Sequence, residues 1–166
     1  VYIDNYSPEG TPLRGNTVTV ADGVNITGLD IYGNMLTVKH ENASGSIANS
    51  DLSRALGSVS DTDILYSSGA FNAITVATNL LIPTDMNYAP QTAETTIFGN
   101  WTNNGTFTRG ESIIAFNGTS TIGGSSDTLF YDLAVEGNLT LTGALTTYGV
   151  LSMTSGAFDT GSYALT

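Results

Sequence analysis

A chain of 166 residues with 40% hydrophobic content is long enough to bury a real core and too apolar to remain disordered. Its net charge of −11 sets 15 acidic residues against Arg14, Lys39, Arg54 and Arg109, so nothing can neutralise a run of phosphates and nucleic acid is not an expected partner. An anionic membrane surface is equally unattractive, no apolar run reaches the length of a membrane span, and the absence of cysteine removes disulfides, thiolate metal sites and thiol nucleophiles.

Threonine (25 residues), serine (16) and glycine (19) dominate the polar composition, while Glu, Lys, Arg and Gln are scarce. Thr suits strands and Gly and Ser suit turns, so the expected class is all-β. The acids are dispersed singly, which reads as a solvated surface rather than an acidic tail.

In residues 1–40, short alternating runs at Val1-Tyr2-Ile3, 17–20, 24–29 and 35–38 are separated by Gly15-Asn16, Asp22-Gly23 and Gly33-Asn34. Asp-Gly and Gly-Asn between alternating runs are turn signals, so four or five short strands are expected here. Residues 42–62 lose the alternation, and Asn49-Ser-Asp51-Leu-Ser-Arg54-Ala-Leu56-Gly57 predicts one or two helical turns from its capping residues and terminal glycine. Extended stretches follow at 63–66 and 73–82, the second so uniformly apolar or small that burial on both faces is expected. Proline at 83 and 90 makes 83–90 the expected boundary between a β-rich N-terminal part, residues 1–90, and a repeat part, residues 91–166. For the first part a β-sandwich or meander is the alternative.

The repeats are clearest at 133–156, which reads as Leu133-Ala-Val135-Glu-Gly137, Leu139-Thr-Leu141-Thr-Gly143, Leu145-Thr-Thr147-Tyr-Gly149 and Leu151-Ser-Met153-Thr-Ser-Gly156. Large residues at i and i+2 mark a strand with one buried face, and a glycine every six residues keeps it short. A unit this small has too little apolar surface to stand alone, so the expectation is a β-solenoid in which units stack rung over rung. A meander of short hairpins is the alternative; Glu-Gly, Thr-Gly and Tyr-Gly are poorer hairpin turns than Asn-Gly. In degraded form the rhythm reaches upstream to Gly99 and Gly105, and to Phe107 and Ile113. Strand-like residues stand at both ends, Val1, Tyr2 and Ile3 and then Tyr163, Ala164 and Leu165, with no polar cap written beside them. They are candidate assembly strands, because an unpaired edge recruits another chain. The chain begins at Val1 without a methionine, which is expected of a processed protein or a segment of a longer one.

Few residues suggest chemistry. Phe158-Asp159-Thr-Gly161-Ser162 matches the active-site string of aspartic proteases, but that mechanism needs a second such carboxylate, and the chain has one copy of the motif. A repeat corner is the simpler reading. His40, beside Glu41, is the only histidine, and no serine elbow accompanies it. Hexad acyltransferases place a small or acidic residue after the aliphatic position, where this chain has Thr140, Thr146 and Ser152. No catalytic residue is therefore assigned. Asp61 and Asp63 are the candidate ligands for a Ca²⁺ ion, without the EF-hand spacing or the Gly-Gly-x-Gly-x-Asp repeat; no other cofactor is expected. Asn-x-Ser/Thr occurs at Asn5, Asn25, Asn42, Asn100, Asn104, Asn117 and Asn138. Fourteen asparagines and 41 serines plus threonines predict about 3.5 such sites by chance, so the excess is twofold. These are candidate glycosylation sites, which suit a secreted surface protein. Trp101, Tyr131, Tyr148, Phe158 and Tyr163 are scattered aromatics that serve either as rung filler or as a carbohydrate platform.

The run from Asn138-Leu-Thr-Leu-Thr-Gly143 through Leu151-Ser-Met-Thr-Ser-Gly156 to Leu165-Thr166, with Gly99-Asn-Trp-Thr-Asn-Asn-Gly105 upstream, resembles repeats of secreted archaeal and bacterial cell-surface proteins. The similarity covers residues 98–166. It implies a β-solenoid of the kind found in adhesin stalks, sheaths and filaments, and an extracellular location. The expected function is a non-enzymatic structural subunit of a filament, sheath or surface layer that binds copies of itself. A glycan-binding adhesin or viral fibre module is the alternative.

Overall fold

The computed structural model describes residues 2–6, 13–20, 34–40, 45–56, 65–67 and 72–166. It is nearly all β and winds as a parallel solenoid of about five turns with three faces. The chain enters through β1 (Tyr2–Tyr6) and β2 (Leu13–Val20), and β3 (Met35–His40) stacks in parallel on β2. These three strands open the first face. β4 (Ser46–Ile47) lies on the third face, α1 (Asn49–Leu56) follows it, and β5 (Leu65–Ser67) pairs with β6 (Ile74–Val76) on the second face.

From β6 onward the faces are visited in strict rotation. β7 (Asn79–Ile82) returns to the first face and β8 (Asn87–Tyr88) to the third. The cycle then runs β9 (Glu94–Ile97), β10 (Trp101–Asn103) and β11 (Thr106–Phe107), followed by β12 (Ile113–Phe116), β13 (Thr119–Gly123) and β14 (Thr128–Phe130). The last complete turn is β15 (Asp132–Val135), β16 (Asn138–Leu141) and β17 (Leu145–Thr147). After it, β18 (Leu151–Met153), β19 (Phe158–Asp159) and a bridge from Leu165 to Leu145 begin a further rung. Only β1 with β2, and β5 with β6, pair antiparallel among the described strands.

The register corrects the expected size of the rung. Consecutive repeat leucines do not stack on one another. Leu133 lies opposite Leu151 on the second face, Leu139 opposite Phe158 on the first, and Leu145 opposite Leu165 on the third. A six-residue unit is thus one face, and three units make the turn. Each strand is too short to do more than cross one face before a glycine corner redirects it. In the less regular rungs the same turn takes 21 residues, as from Leu80 to Trp101 and on to Ile122. The stretch 73–82, expected as one run, is likewise split by a bend at 77–78 into β6 and β7 on different faces. The 83–90 segment, expected as a boundary, contains β8, which pairs with β4 before it and β11 after it.

The corner glycines have a packing cause. A Cβ on Gly137 would collide with the carbonyl oxygen of Gly118 on the rung below, and one on Gly118 would meet that of Phe98. Main chain lies on main chain at this corner, where a side chain has no room.

Inside, the three faces converge on one core. Leu80, Trp101, Ile122 and Leu141 enter from the first face, Val76, Ile97, Phe116 and Val135 from the second, and Ile47, Tyr88, Phe130 and Leu145 from the third. Trp101 sits edge-on to Phe107 and Phe130, with centroids at 4.8 and 5.2 Å. Burying each such side chain contributes roughly 1.5–3 kcal/mol, which is how rungs of two- to five-residue strands hold together. Asn103 is also fully buried, and it is satisfied: its Nδ2 donates to the Asp127 carbonyl at 2.9 Å and its Oδ1 accepts the Gly105 N–H at 3.2 Å.

α1 forms where the sequence predicts it. The Asp51 carboxylate accepts the Ala48 N–H at 2.9 Å, one arm of a capping box, and Leu52 enters the core. Asn49, at the start of the helix, donates to the Glu94 carbonyl at 3.1 Å and accepts the Tyr88 hydroxyl at 2.6 Å; that hydroxyl also lies 2.7 Å from Thr95 Oγ1. This buried polar cluster ties the helix to the rungs it covers.

Candidate functional site

Stacking leaves two special places, the ends. Among the described residues, eight large hydrophobic side chains are exposed, and six of them (Tyr148, Val150, Leu151, Met153, Tyr163 and Leu165) fall in the last rung. Their exposure follows from position. Leu151 and Met153 lie in register with Leu133 and Val135, which are fully buried, yet among the described residues Leu151 is 40% and Met153 52% exposed. They are core-facing side chains of the last described rung.

The surroundings of that end are almost uncharged. Residues 137–166 contain one acid, Asp159, and no base, in a chain of net charge −11. Of the candidate assembly strands, Tyr163, Ala164 and Leu165 are here. Leu145 donates to the Ala164 carbonyl and Thr166 to the Leu145 carbonyl, each at 3.0 Å, so one edge of this segment is satisfied by β17. Tyr2 and Ile3 lie on β1 at one edge of the eight-stranded first-face sheet, paired among the described residues with β2 alone, while β19 forms its other edge. Val1 lies outside the described residues. The two sets thus lie at opposite ends of the described stack but on different faces, β1 on the first and the 163–165 segment beside β17 on the third.

The other sequence candidates separate clearly. Asp159 is the exposed last residue of β19, and its carboxylate accepts the Gly161 N–H at 2.8 Å across the turn that follows, the geometry of a repeat corner. His40 is the last residue of β3. Asp61 and Asp63 lie outside the described residues, and among those described no three His, Asp or Glu side chains gather as a metal site. Trp101, considered for a carbohydrate platform, is 1% exposed and belongs to the core. Its indole needs the ring partners that a buried rung supplies, and Nε1 donates to Thr128 Oγ1 at 3.3 Å.

Of the glycosylation candidates, Asn5 lies on β1, and Asn25 and Asn42 lie outside the described residues. The other four stand at corners of the first face. Asn100 Oδ1 accepts the Thr121 N–H at 2.9 Å, Asn104 Oδ1 the Ser125 N–H at 3.0 Å, and Asn138 Oδ1 the Ala157 N–H at 3.1 Å. Asn79, not a glycosylation candidate, does the same for the Asn100 N–H at 2.8 Å. Asn117 differs, since its Nδ2 donates to Glu136 Oε2 at 3.1 Å.

Sequence reasoning missed this asparagine ladder. The 21-residue step from Asn79 to Asn100, equal to the rung length, was its visible signal. It also missed Arg109, whose guanidinium lies 4.1 Å from the Tyr148 ring centroid and 5.5 Å from that of Tyr131, clasping two rungs from outside. Burial raises the Tyr88 hydroxyl pKa well above its ordinary value, with the Thr95 hydrogen bond opposing in part. No helix among the described residues is long and apolar enough to cross a membrane. Comparison with known proteins finds no matching family, curated protein or solved structure.

Proposed function

We propose that this chain is a non-enzymatic structural subunit of an extracellular assembly (a filament, sheath or surface layer) in which copies join by pairing their edge strands. The observation that carries the reading is the last rung: side chains in register with a buried core, exposed beside a nearly chargeless end of the stack. Among the described residues, β1 and β19, the outer strands of the longest sheet, each have one strand partner and a further edge without one. Such edges template the addition of another strand. Dispersed negative charge elsewhere keeps lateral surfaces apart, or lets cations bridge them.

The test is negative-stain microscopy of the purified chain with and without calcium, repeated after deletion of residues 1–5. Polymers are expected from the full chain, and folded but unassembled subunits from the truncated one. Intact polymers after the deletion would refute joining through β1, and monomers from the full chain under all conditions would refute the assembly itself.

A glycan-binding adhesin or viral fibre module is the second reading, favoured by one observation, the Arg109 guanidinium beside exposed Tyr148 and half-buried Tyr131. It predicts saturable glycan binding by monomers that is lost in Tyr148→Ala.

A further inference from the structure

The structure assigns Asn100 and Asn138, of the four candidate asparagines whose side chains are described, as the two that carry N-linked glycans along one edge of the solenoid. The inference rests on the extracellular setting proposed above, and not on polymerisation.

The argument starts from amide orientation. Asn100 and Asn138 each face a main-chain N–H of the next rung, Thr121 and Ala157 respectively. A main-chain N–H only donates, so the amide atom facing it is the oxygen, and Nδ2 is turned away from the stack. Both asparagines are exposed, and each opens a strand-side corner of the first face. Thr102 and Thr140 complete the two acceptor sequences, with both side chains on the outer side of their strands.

The chemistry is compatible with this fixed geometry. Nδ2 attacks the anomeric carbon of a lipid-diphosphate-linked oligosaccharide. The C1–Nδ2 bond forms as the C1–O bond to the diphosphate breaks; the lipid diphosphate leaves, and one Nδ2 proton passes to a base. The product amide keeps its carbonyl oxygen and one N–H. The hydrogen bond from Oδ1 to the next rung therefore survives glycosylation, and the sugar projects into solvent.

The two other candidates whose side chains are described, Asn117 and Asn104, lack this arrangement. Asn117 Nδ2 is directed along the surface onto the Glu136 carboxylate of the next rung, where a sugar would displace the contact. Asn104 is half-buried, and its Oδ1 is shared between the Ser125 N–H and hydroxyl. Asn100 and Asn138 are two rungs apart, roughly 10 Å at the usual strand spacing, so their glycans do not compete for one site.

The experiment is production of the full chain in a eukaryotic secretory host, with site-resolved mass spectrometry before and after peptide:N-glycosidase treatment. Thr102→Ala and Thr140→Ala remove the acceptor sequences while leaving the asparagine ladder in place. Each is expected to remove one glycan, from Asn100 and from Asn138, with an unchanged melting temperature; Thr119→Ala, which disables Asn117, is expected to remove none. A secreted, folded chain unmodified at Asn100 and Asn138, or one occupied at Asn117 in preference to them, would overturn the assignment. Either result is independent of whether the same material forms polymers.

Discussion

Gly137→Ala and Gly143→Ala make the same chemical change at the ends of two adjacent repeats, and the stack predicts opposite outcomes. A Cβ at Gly137 meets the Gly118 amide nitrogen at 2.6 Å and collides with the Gly118 carbonyl oxygen, and neither backbone group can turn aside as a side chain would. At Gly143 the nearest atom is the Gly123 Cα at 3.9 Å, an ordinary contact. Replacing Gly by Ala at an unstrained position gains about 0.4–1 kcal/mol by restricting the unfolded chain. Forcing a methyl group against packed backbone costs about 1–3 kcal/mol. Gly143→Ala is therefore expected to be neutral or slightly stabilising, and Gly137→Ala to lie about 2 kcal/mol below it. For a chain of this size that separation is roughly 4–8 °C in melting temperature. Parallel thermal and urea melts followed by circular dichroism read it directly. If Gly137→Ala melts at or above Gly143→Ala, the corner at Gly137 is not closed by main-chain contact, and the packing account of that glycine is wrong.

The same stack sets other outcomes. Leu133→Ala empties a fully buried site and is expected to cost about 2–5 kcal/mol, whereas Leu151→Ala, at a residue 40% exposed, costs under about 1 kcal/mol; comparable losses in urea melts would contradict the open last rung. Tyr88 stays protonated in the folded chain beyond the pH at which an unfolded tyrosine, with pKa near 10, ionises. Its contribution is thus intact below about pH 10 and falls by up to about 1.4 kcal/mol per pH unit above it; Tyr88→Phe starts less stable, because Asn49 Oδ1 loses its best donor, but lacks this alkaline component, and identical pH–stability slopes would refute the assignment. If copies join end to end, raising salt from about 0.01 to 0.15 M, which shortens the Debye length from about 30 to 8 Å, is expected to thicken bundles of filaments with little effect on their length. Light scattering and microscopy separate the two, and a steep salt dependence of length would argue against a low-charge joint.

Much of the architecture was legible because a hydrophobic at i and i+2 with a glycine after it is a local pattern. The strands at 133–153, the α1 helix and the alternation over 35–38 all express it or its helical counterpart. What was not legible is the stacking partner. Leu133 is followed by Leu139 in sequence but lies over by Leu151 in space, and nothing local says how sharply the chain turns at Gly137. That angle is set by backbone meeting backbone one rung below. The bend at 77–78 was hidden for the same reason, since apolar residues on both sides of a corner look like one buried strand. Composition left Trp101 between rung filler and carbohydrate platform, and the 21-residue step from Leu80, itself buried, puts it inside. The asparagine ladder needed the same rung length before Asn79 and Asn100 became neighbours.

Three faces per turn also explain why the proposed assembly surface is an end and not a side. Along the first and second faces, every described strand between the outer ones has a neighbour on each side, so its ladder groups are satisfied and side chains face outward; the third face is interrupted between β11 and β14. Those outward side chains are Thr, Asn and dispersed acids, which favour water and repel a second copy of the same sign. At the last rung both conditions reverse. Backbone edges are unpaired on β18 and β19, apolar groups meant for a core are exposed, and charge falls to the single Asp159. At the first rungs the conditions differ again, since α1 places Leu52 in the core and β1 and β5 run antiparallel to the strands they border. The described stack therefore has polarity, and the proposed edge-strand joint inherits it: the contact is head to tail, and it repeats into a ring or an open polymer instead of closing as a symmetric pair.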